Sequence, residues 1–206
     1  MSGLLRRAGQ VVQALMGPLA AAALYAVAAL PLATATLTRS DDGLIHLYRL
    51  LEFDRCLAQG SLLPRWAPDL AQGYGYPLFS FYPPLAYHVA EVWHLLGLSL
   101  VRALNLTFVL SGMLSGASMY LLVRDWAGPK GALLAAMLYM YAPFALYSAY
   151  YRGGVAEVLA WALAPLALWA FRKLVRSGDA RWLLPATLAY AAIPLSHFLA
   201  ALMLTP

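Results

Sequence analysis

PPLAYHVAEVWHLLGLSL, residues 83–100, decides the fold, because the whole topology depends on whether it crosses a bilayer. It opens on two prolines and carries His88, Glu91 and His94, ionisable groups that are costly in hydrocarbon. On either side lie longer and cleaner apolar runs, at about 11–37, 103–123, 131–151, 153–171 and 182–204. Each is close to the roughly 20 helical residues that span the hydrocarbon core. Composition agrees: 63% of the 206 residues are hydrophobic and 11% charged, against about 25% charged in a soluble domain. Such a chain cannot cover a soluble surface, so the expected class is an all-α, polytopic transmembrane bundle of about five spans.

Charge distribution places residues 83–100. If they do not cross, Arg6, Arg7, Arg124, Lys130, Arg172, Lys173, Arg176 and Arg181 share one side with Asp125 and Asp179. Seven of the nine acids then face the other side, and the positive-inside bias makes the basic side cytoplasmic. If they did cross, only Arg6, Arg7, Arg102 and Arg152 would be inside. The first arrangement is the better one. It makes 83–100 a juxtamembrane helix within a long extracytoplasmic loop, about 38–102, with the N-terminus cytoplasmic and the protein in the cell membrane. The basic residues sit at the ends of apolar runs rather than in an aromatic-laced patch, so no nucleic-acid partner is expected. Membrane lipids are the partners that composition implies, and nothing in the sequence speaks to oligomeric state. The run from residue 11 is too long for a cleaved signal's apolar region of about 7–15 residues. Cys56 is the single cysteine and is read as a small apolar helix residue. Ser111, Gly112, Ser115 and Gly116 form a small-residue surface for close helix packing.

Within the long loop, residues 42–59 are expected to form an amphipathic helix with Leu44, Leu47, Tyr48 and Leu51 on its apolar face. Asp42, His46 and Arg49 lie at i, i+4 and i+7 on one face, an acid followed by an imidazole and a guanidinium. That stripe suits a cation, a phosphate or a hydroxyl awaiting deprotonation. Asp41, or Ser40, can instead serve as a helix N-cap. After it comes GSLLPRWAPDLAQGYGYPLFSFYPP, residues 60–84, in which Trp66, Tyr74, Tyr76, Phe79, Phe81 and Tyr82 are stiffened by glycines and prolines. These rings suit sugar stacking, an isoprenoid chain, interfacial anchoring or a small core of their own, and Arg65 and Asp69 are their polar neighbours. Arg152 and Glu157 bracket the start of the fourth span, and His197 lies in the fifth. His88, Glu91 and His94 have weak metal-ligand spacing. Hydrolase, nucleotide-binding and redox signatures are absent.

The order of elements resembles the GT-C superfamily of polytopic membrane glycosyltransferases. The resemblance rests on DDGLIHLYRLLEF (41–53) after the first span and FYPPLAYHVAEVWHLLGLSLVRAL (81–104) leading into the second. Within it, the chain is similar to a bacterial branch labelled "6-pyruvoyl-tetrahydropterin synthase-related" membrane domain, a label that implies no pterin chemistry here. The resemblance implies Asp42, less so Asp41, as base or cation ligand, and Glu157 as a second acid. It also implies Mg²⁺ or Mn²⁺ on Asp42 and Glu157, and Arg49 and Arg152 beside the phosphate of a polyprenyl-phosphate sugar donor. His46, Arg65, Trp66, Asp69, Tyr74, Tyr76, Tyr82, Tyr87 and His197 are the remaining candidates for substrate binding. The reaction it implies is sugar transfer at the extracytoplasmic face. The same resemblance makes the chain the N-terminal part of a larger protein. The competing class is a non-catalytic scaffold, or a transporter or lipid-binding component.

Overall fold

The computed structural model describes residues 15–34, 36, 37 and 39–205, and these form helices joined by turns and by one longer loop, residues 59–77. In chain order they are α1 (Leu15–Ala23), α2 (Ala26–Ala33), α3 (Gly43–Ala58), α4 (Leu78–Phe81) and α5 (Leu85–Leu95). Then follow α6 (Leu100–Met140), α7 (Pro143–Leu146), α8 (Val155–Ser177), α9 (Leu183–Ser196) and α10 (Phe198–Leu204). Two helices, α6 and α8, are each long and apolar enough to cross a membrane. The pair α1 and α2, bent by 44°, makes a third if taken as one span. That is a membrane protein with two or three candidate spans by length and composition, fewer than the five expected.

The shortfall comes from breaks that hydropathy does not register. The predicted run 11–37 bends between α1 and α2, and its residues 11–14 and 35 lie outside the described residues, as do Arg6 and Arg7. The runs 103–123 and 131–151 meet in α6, whose 41 residues would extend about 60 Å if straight, twice the hydrocarbon thickness. Gly128, at φ 67° and ψ 179°, breaks it into two arms just before Pro129. The second arm stops at Met140 because Pro143 lacks the N–H needed to continue. Residues 147–152 then form a π-helical turn. The last run is interrupted at His197 (φ −152°, ψ 108°), between α9 and α10. The run 103–123 lies unbroken within the first arm of α6, and 153–171 is recovered as α8, closed by Gly178 in the left-handed conformation with its N–H on the Leu174 carbonyl.

α8 is central and packs on α6 and α9. Ala156, Ala160, Ala162, Ala167 and Ala170 are buried along it, so neighbouring backbones approach closely. Ser118 and Ser196 donate to the Ala162 and Ala156 carbonyls, at 2.9 and 2.7 Å. The small-residue surface of α6 serves the same end: Gly112 lies against the Tyr25 ring, and Gly116 against Met140 and the Ala21 carbonyl. Asn105 donates to the Thr34 and Thr36 carbonyls, both at 3.1 Å, fixing the exit of the first helical pair.

α5 is 11 residues, about 16 Å, half a bilayer core. It packs on α3 and α6. The apolar face expected for α3 holds only in part: Leu47 packs partly buried on the core and Leu51 is half-buried. Leu44 and Tyr48 are exposed, while His46, Leu50, Glu52, Phe53 and Cys56 are buried. Polar residues on the inner face mislead a hydropathy pattern: Glu52 accepts from Arg55 and from the Asp69 N–H. Phe53 packs on Phe79, His88 and Tyr87 at centroid distances of 5.3, 4.6 and 6.1 Å. Full burial of a ring this size is worth about 2–3 kcal/mol, enough to hold α3 on α5 outside the long helices.

Candidate functional site

The turn before α3 and the turn before α8 meet. The Asp41 N–H donates to the Tyr151 carbonyl at 3.0 Å and the Asp42 N–H to the Arg152 carbonyl at 2.7 Å. Gly153 makes this possible. Its φ of 75° belongs to glycine, and an added Cβ would overlap Ser40 Oγ and come within 2.9 Å of the Gly43 nitrogen. We expect Gly153→Ala to cost about 2–3 kcal/mol through strain and overlap, read as a lower midpoint of thermal unfolding in detergent. Gly178→Ala is the control. Its φ is also positive, at 63°, but nothing lies within 4 Å of the added carbon, so only the left-handed penalty of about 1–2 kcal/mol applies. Equal effects would show that the contact with the 40–43 turn carries no stability.

This junction brings three predicted residues together. Asp42 holds the N-cap position of α3, yet its carboxylate does not cap the helix. It faces Arg152 instead, Oδ2 to Nε 3.6 Å. Arg152 Nη1 donates to both Glu157 oxygens, at 3.1 and 3.0 Å. Glu157, in the first turn of α8, is largely buried, whereas Asp42 and Arg152 stay half open to solvent. Asp41 is exposed and contributes its backbone.

From Arg152 and Glu157 an apolar groove of about 560 Å³ runs between α8 and the α9–α10 pair. Phe144, Trp161, Ile193, Leu199 and Met203 are among its walls, and His197 stands with Arg152 and Glu157 in its lining. His197 Nδ1 accepts the Ala200 N–H at 3.3 Å, which in a neutral ring makes Nε2 the donor. Trp161 was missed in the sequence, although it lies one helical turn beyond Glu157 and so shares its face.

His46 and Arg49 take a different role from the open stripe expected. His46 is buried, with Nδ1 2.8 Å from the Tyr87 hydroxyl, and the Arg49 guanidinium lies 4.3 Å over the Tyr82 ring. Burial pushes the His46 imidazole down to about 3, with the Arg49, Arg152 and His197 charges adding to it. Burial likewise raises the Tyr82 and Tyr87 phenols. His46 is therefore neutral at physiological pH, and α3 and α5 lock through it. The folded state binds fewer protons than the unfolded one between pH 3 and 6.5, so His46 removes stability as pH falls through that window. At about 1.4 kcal/mol per unit the penalty reaches roughly 3 kcal/mol by pH 4. Thermal unfolding of wild type and His46→Gln at pH 7.5, 6, 5 and 4 should show the wild-type advantage shrinking on acidification. Parallel curves would contradict a neutral buried imidazole.

Arg65, Trp66, Asp69, Tyr74 and Tyr76 are not part of this centre. They sit at the far end of α3, where Asp69 pairs with Arg55 and its N–H donates to Glu52 Oε2 at 3.0 Å. Among the described residues no group of three or more His, Cys, Asp or Glu is arranged to hold a metal. His88 and His94 bond the Leu62 and Leu98 carbonyls, and burial raises the pKa of Glu91. Asp42 and Glu157 already share Arg152 as their cation, which does not fit a Mg²⁺ or Mn²⁺ ion held by the same two carboxylates.

Residues 79–205, more than half of the chain, match the family described as "6-pyruvoyl-tetrahydropterin synthase related domain; membrane protein". A protein of Lactococcus lactis subsp. cremoris, described as uncharacterised, is 23% identical over 171 residues, covering 81% of this chain. The chain spans 28% of that protein's length. No solved structure matches.

Proposed function

The chain belongs to the 6-pyruvoyl-tetrahydropterin synthase related family of membrane proteins, and from that premise we propose that it is a GT-C-like glycosyltransferase domain acting on a polyprenyl-phosphate sugar. One observation carries the reading: an apolar groove whose polar end is Arg152, Glu157 and His197, with Asp42 on the same arginine. A lipid with a phosphorylated head needs that combination, a long apolar slot and cationic or N–H donors at one end.

The two contacts of Arg152 are unequal. Glu157 holds it by two hydrogen bonds, while Asp42 sits at 3.6 Å and is the partner an incoming phosphate displaces. Donor binding thus frees the Asp42 carboxylate to act as base. Asp42 takes the proton of the acceptor hydroxyl as that oxygen attacks the anomeric carbon. The bond from this carbon to the phosphate oxygen breaks, and the electron pair leaves on the lipid phosphate. Charge grows on that phosphate in the transition state, where Arg152 and the His197 Nε2–H stabilise it. Glu157 keeps Arg152 in place. No step runs through a metal.

The reading includes about five membrane crossings: the α1–α2 pair, the two arms of α6, α8, and the α9–α10 pair. It has the N-terminus cytoplasmic and residues 38–102 extracytoplasmic. Single cysteines at Ser61, Ser99, Tyr151 and Ser177, in a Cys56→Ser background, test it with a membrane-impermeant thiol reagent on intact cells. All four positions are exposed. Labelling at 61, 99 and 151 with 177 protected supports transfer at the outer face. Labelling of 177 with protection of 151 would put the centre inside and end this reading. The scaffold or lipid-binding alternative predicts the same labelling but no dependence on Asp42.

A further inference from the structure

We propose that Trp66, Tyr74 and Tyr76 form a second binding site, a platform for an oligosaccharide chain at the end of α3 remote from Asp42. The three rings are exposed, at 52%, 86% and 47%. Their exposure is not looseness, because the turn that carries them is tied down at every point. Ala67 and Tyr76 exchange both backbone hydrogen bonds, at 2.8 and 2.9 Å. The Leu70 carbonyl accepts the Gly75 N–H at 2.9 Å. Ala71 and Gln72 adopt positive φ, 53° and 61°, ahead of Gly73 and Gly75 at 88° and 78°. Two non-glycine residues in that region hold strain that the surrounding contacts must offset.

Those contacts come from α3. The Cys56 thiol donates to the Trp66 carbonyl at 3.3 Å, the Asp69 N–H to Glu52 Oε2, and Arg55 joins both Glu52 and Asp69. The Trp66 edge formed by Nε1, Cε2 and Cζ2 rests on Gly75, where a Cβ would overlap all three atoms. A strained turn and a buried glutamate therefore hold the segment that presents three aromatic rings at the protein surface.

The rings fit a sugar better than the other occupants. A pyranose offers an apolar C–H face to the negative face of an aromatic ring, and a rim of hydroxyls for which Arg65, Asp69 and Gln72 stand on the same segment. Immersion in lipid would carry the Arg55–Asp69 ion pair with it, at a cost that charged groups in hydrocarbon do not recover. The rings together present on the order of 400 Å², about half of one side of a stable protein interface, roughly 800 Å². From Asp42 to Arg55 is 13 residues of helix, about 20 Å, so a ligand reaching both sites is a chain of sugars. A role as acceptor subsite rests on the transfer reading. Glycan binding by itself does not.

The test is retention of the full chain, in lipid nanodiscs, on an array of immobilised oligosaccharides. Wild type is expected to bind at least one oligosaccharide class. Tyr74→Ala, which removes an almost fully exposed ring and so cannot unfold the protein, is expected to weaken it at least tenfold. Gly75→Ala, which displaces the Trp66 indole, should do the same, and Asp42→Asn should bind as wild type does. No retained oligosaccharide, or equal binding by Tyr74→Ala, overturns the proposal. So does selective quenching of Trp66 by brominated lipids, with Trp66→Phe as reference, which would make the rings and the exposed Leu62 and Leu63 a bilayer anchor. Loss of transfer with binding intact in Asp42→Asn keeps the two sites separate. Transfer retained in that variant would remove the catalytic reading and leave the platform standing.

Discussion

Asp42→Asn is expected to insert and fold as the wild type does and to lose sugar transfer by a factor of about 10²–10⁴, the range a positioned base contributes. The structure gives reasons for both halves. The Asp42 carboxylate caps nothing, so the amide costs α3 no hydrogen bond. Its one ionic contact is a 3.6 Å approach to an arginine that Glu157 holds more closely, and such a half-exposed pair contributes at most about 1 kcal/mol. The backbone bond from the Asp42 N–H to the Arg152 carbonyl survives the substitution. Loss therefore reports the carboxylate itself. The assay is transfer of radiolabelled sugar from a polyprenyl-phosphate donor to membrane acceptor, with unfolding temperature measured on the same preparations. Retained transfer would remove Asp42 from the mechanism.

Arg152→Met is expected to be more damaging, because one side chain serves Asp42, Glu157 and, on the transfer reading, the donor phosphate. Glu157, largely buried, loses both of its hydrogen bonds. Stranding a buried charge costs about 3–5 kcal/mol in the fully buried case; Arg152 is partly solvated, so the lower end is expected. Donor binding and transition-state stabilisation fall as well, giving a loss in kcat/KM beyond 10³. Arg152→Lys restores the charge on Glu157 without the forked geometry. It should recover most of the stability and little of the activity, a split that a purely structural arginine would not give. If Arg152→Lys restores both together, the residue is a strut and nothing more.

Much of this centre was legible because charges in an apolar chain are few. Asp42, Arg152 and Glu157 stand out among nine acids and fourteen bases. Their meeting was not legible. It depends on backbone bonds between the 41–42 and 151–152 turns and on one left-handed glycine, neither of which leaves a periodic trace. The helical class follows from composition, but the length of each helix does not. Pro143 and His197 interrupt runs that hydropathy averages into continuous spans, and the two runs on either side of Gly128 join in one bent helix. α3 misled in the opposite sense. Its inner face is built on His46, Glu52 and Cys56, each satisfied by a partner from the aromatic loop or α5, so the apolar residues Leu44 and Tyr48 turn outward. The candidate substrate residues of the loop divide for the same reason. Tyr82 and Tyr87 close on His46 and Arg49 at one end of α3, while Trp66, Tyr74 and Tyr76 stand free at the other.

The central claim is that the groove and Arg152 together hold a lipid by its phosphate. Native mass spectrometry of the full chain, released from detergent with a synthetic polyprenyl phosphate or with the matching polyprenol, tests it most directly. Wild type should retain the phosphate and hold the alcohol only weakly, and the difference should be lost in Arg152→Met. Equal retention of phosphate and alcohol by wild type, or an unchanged preference in Arg152→Met, would contradict it.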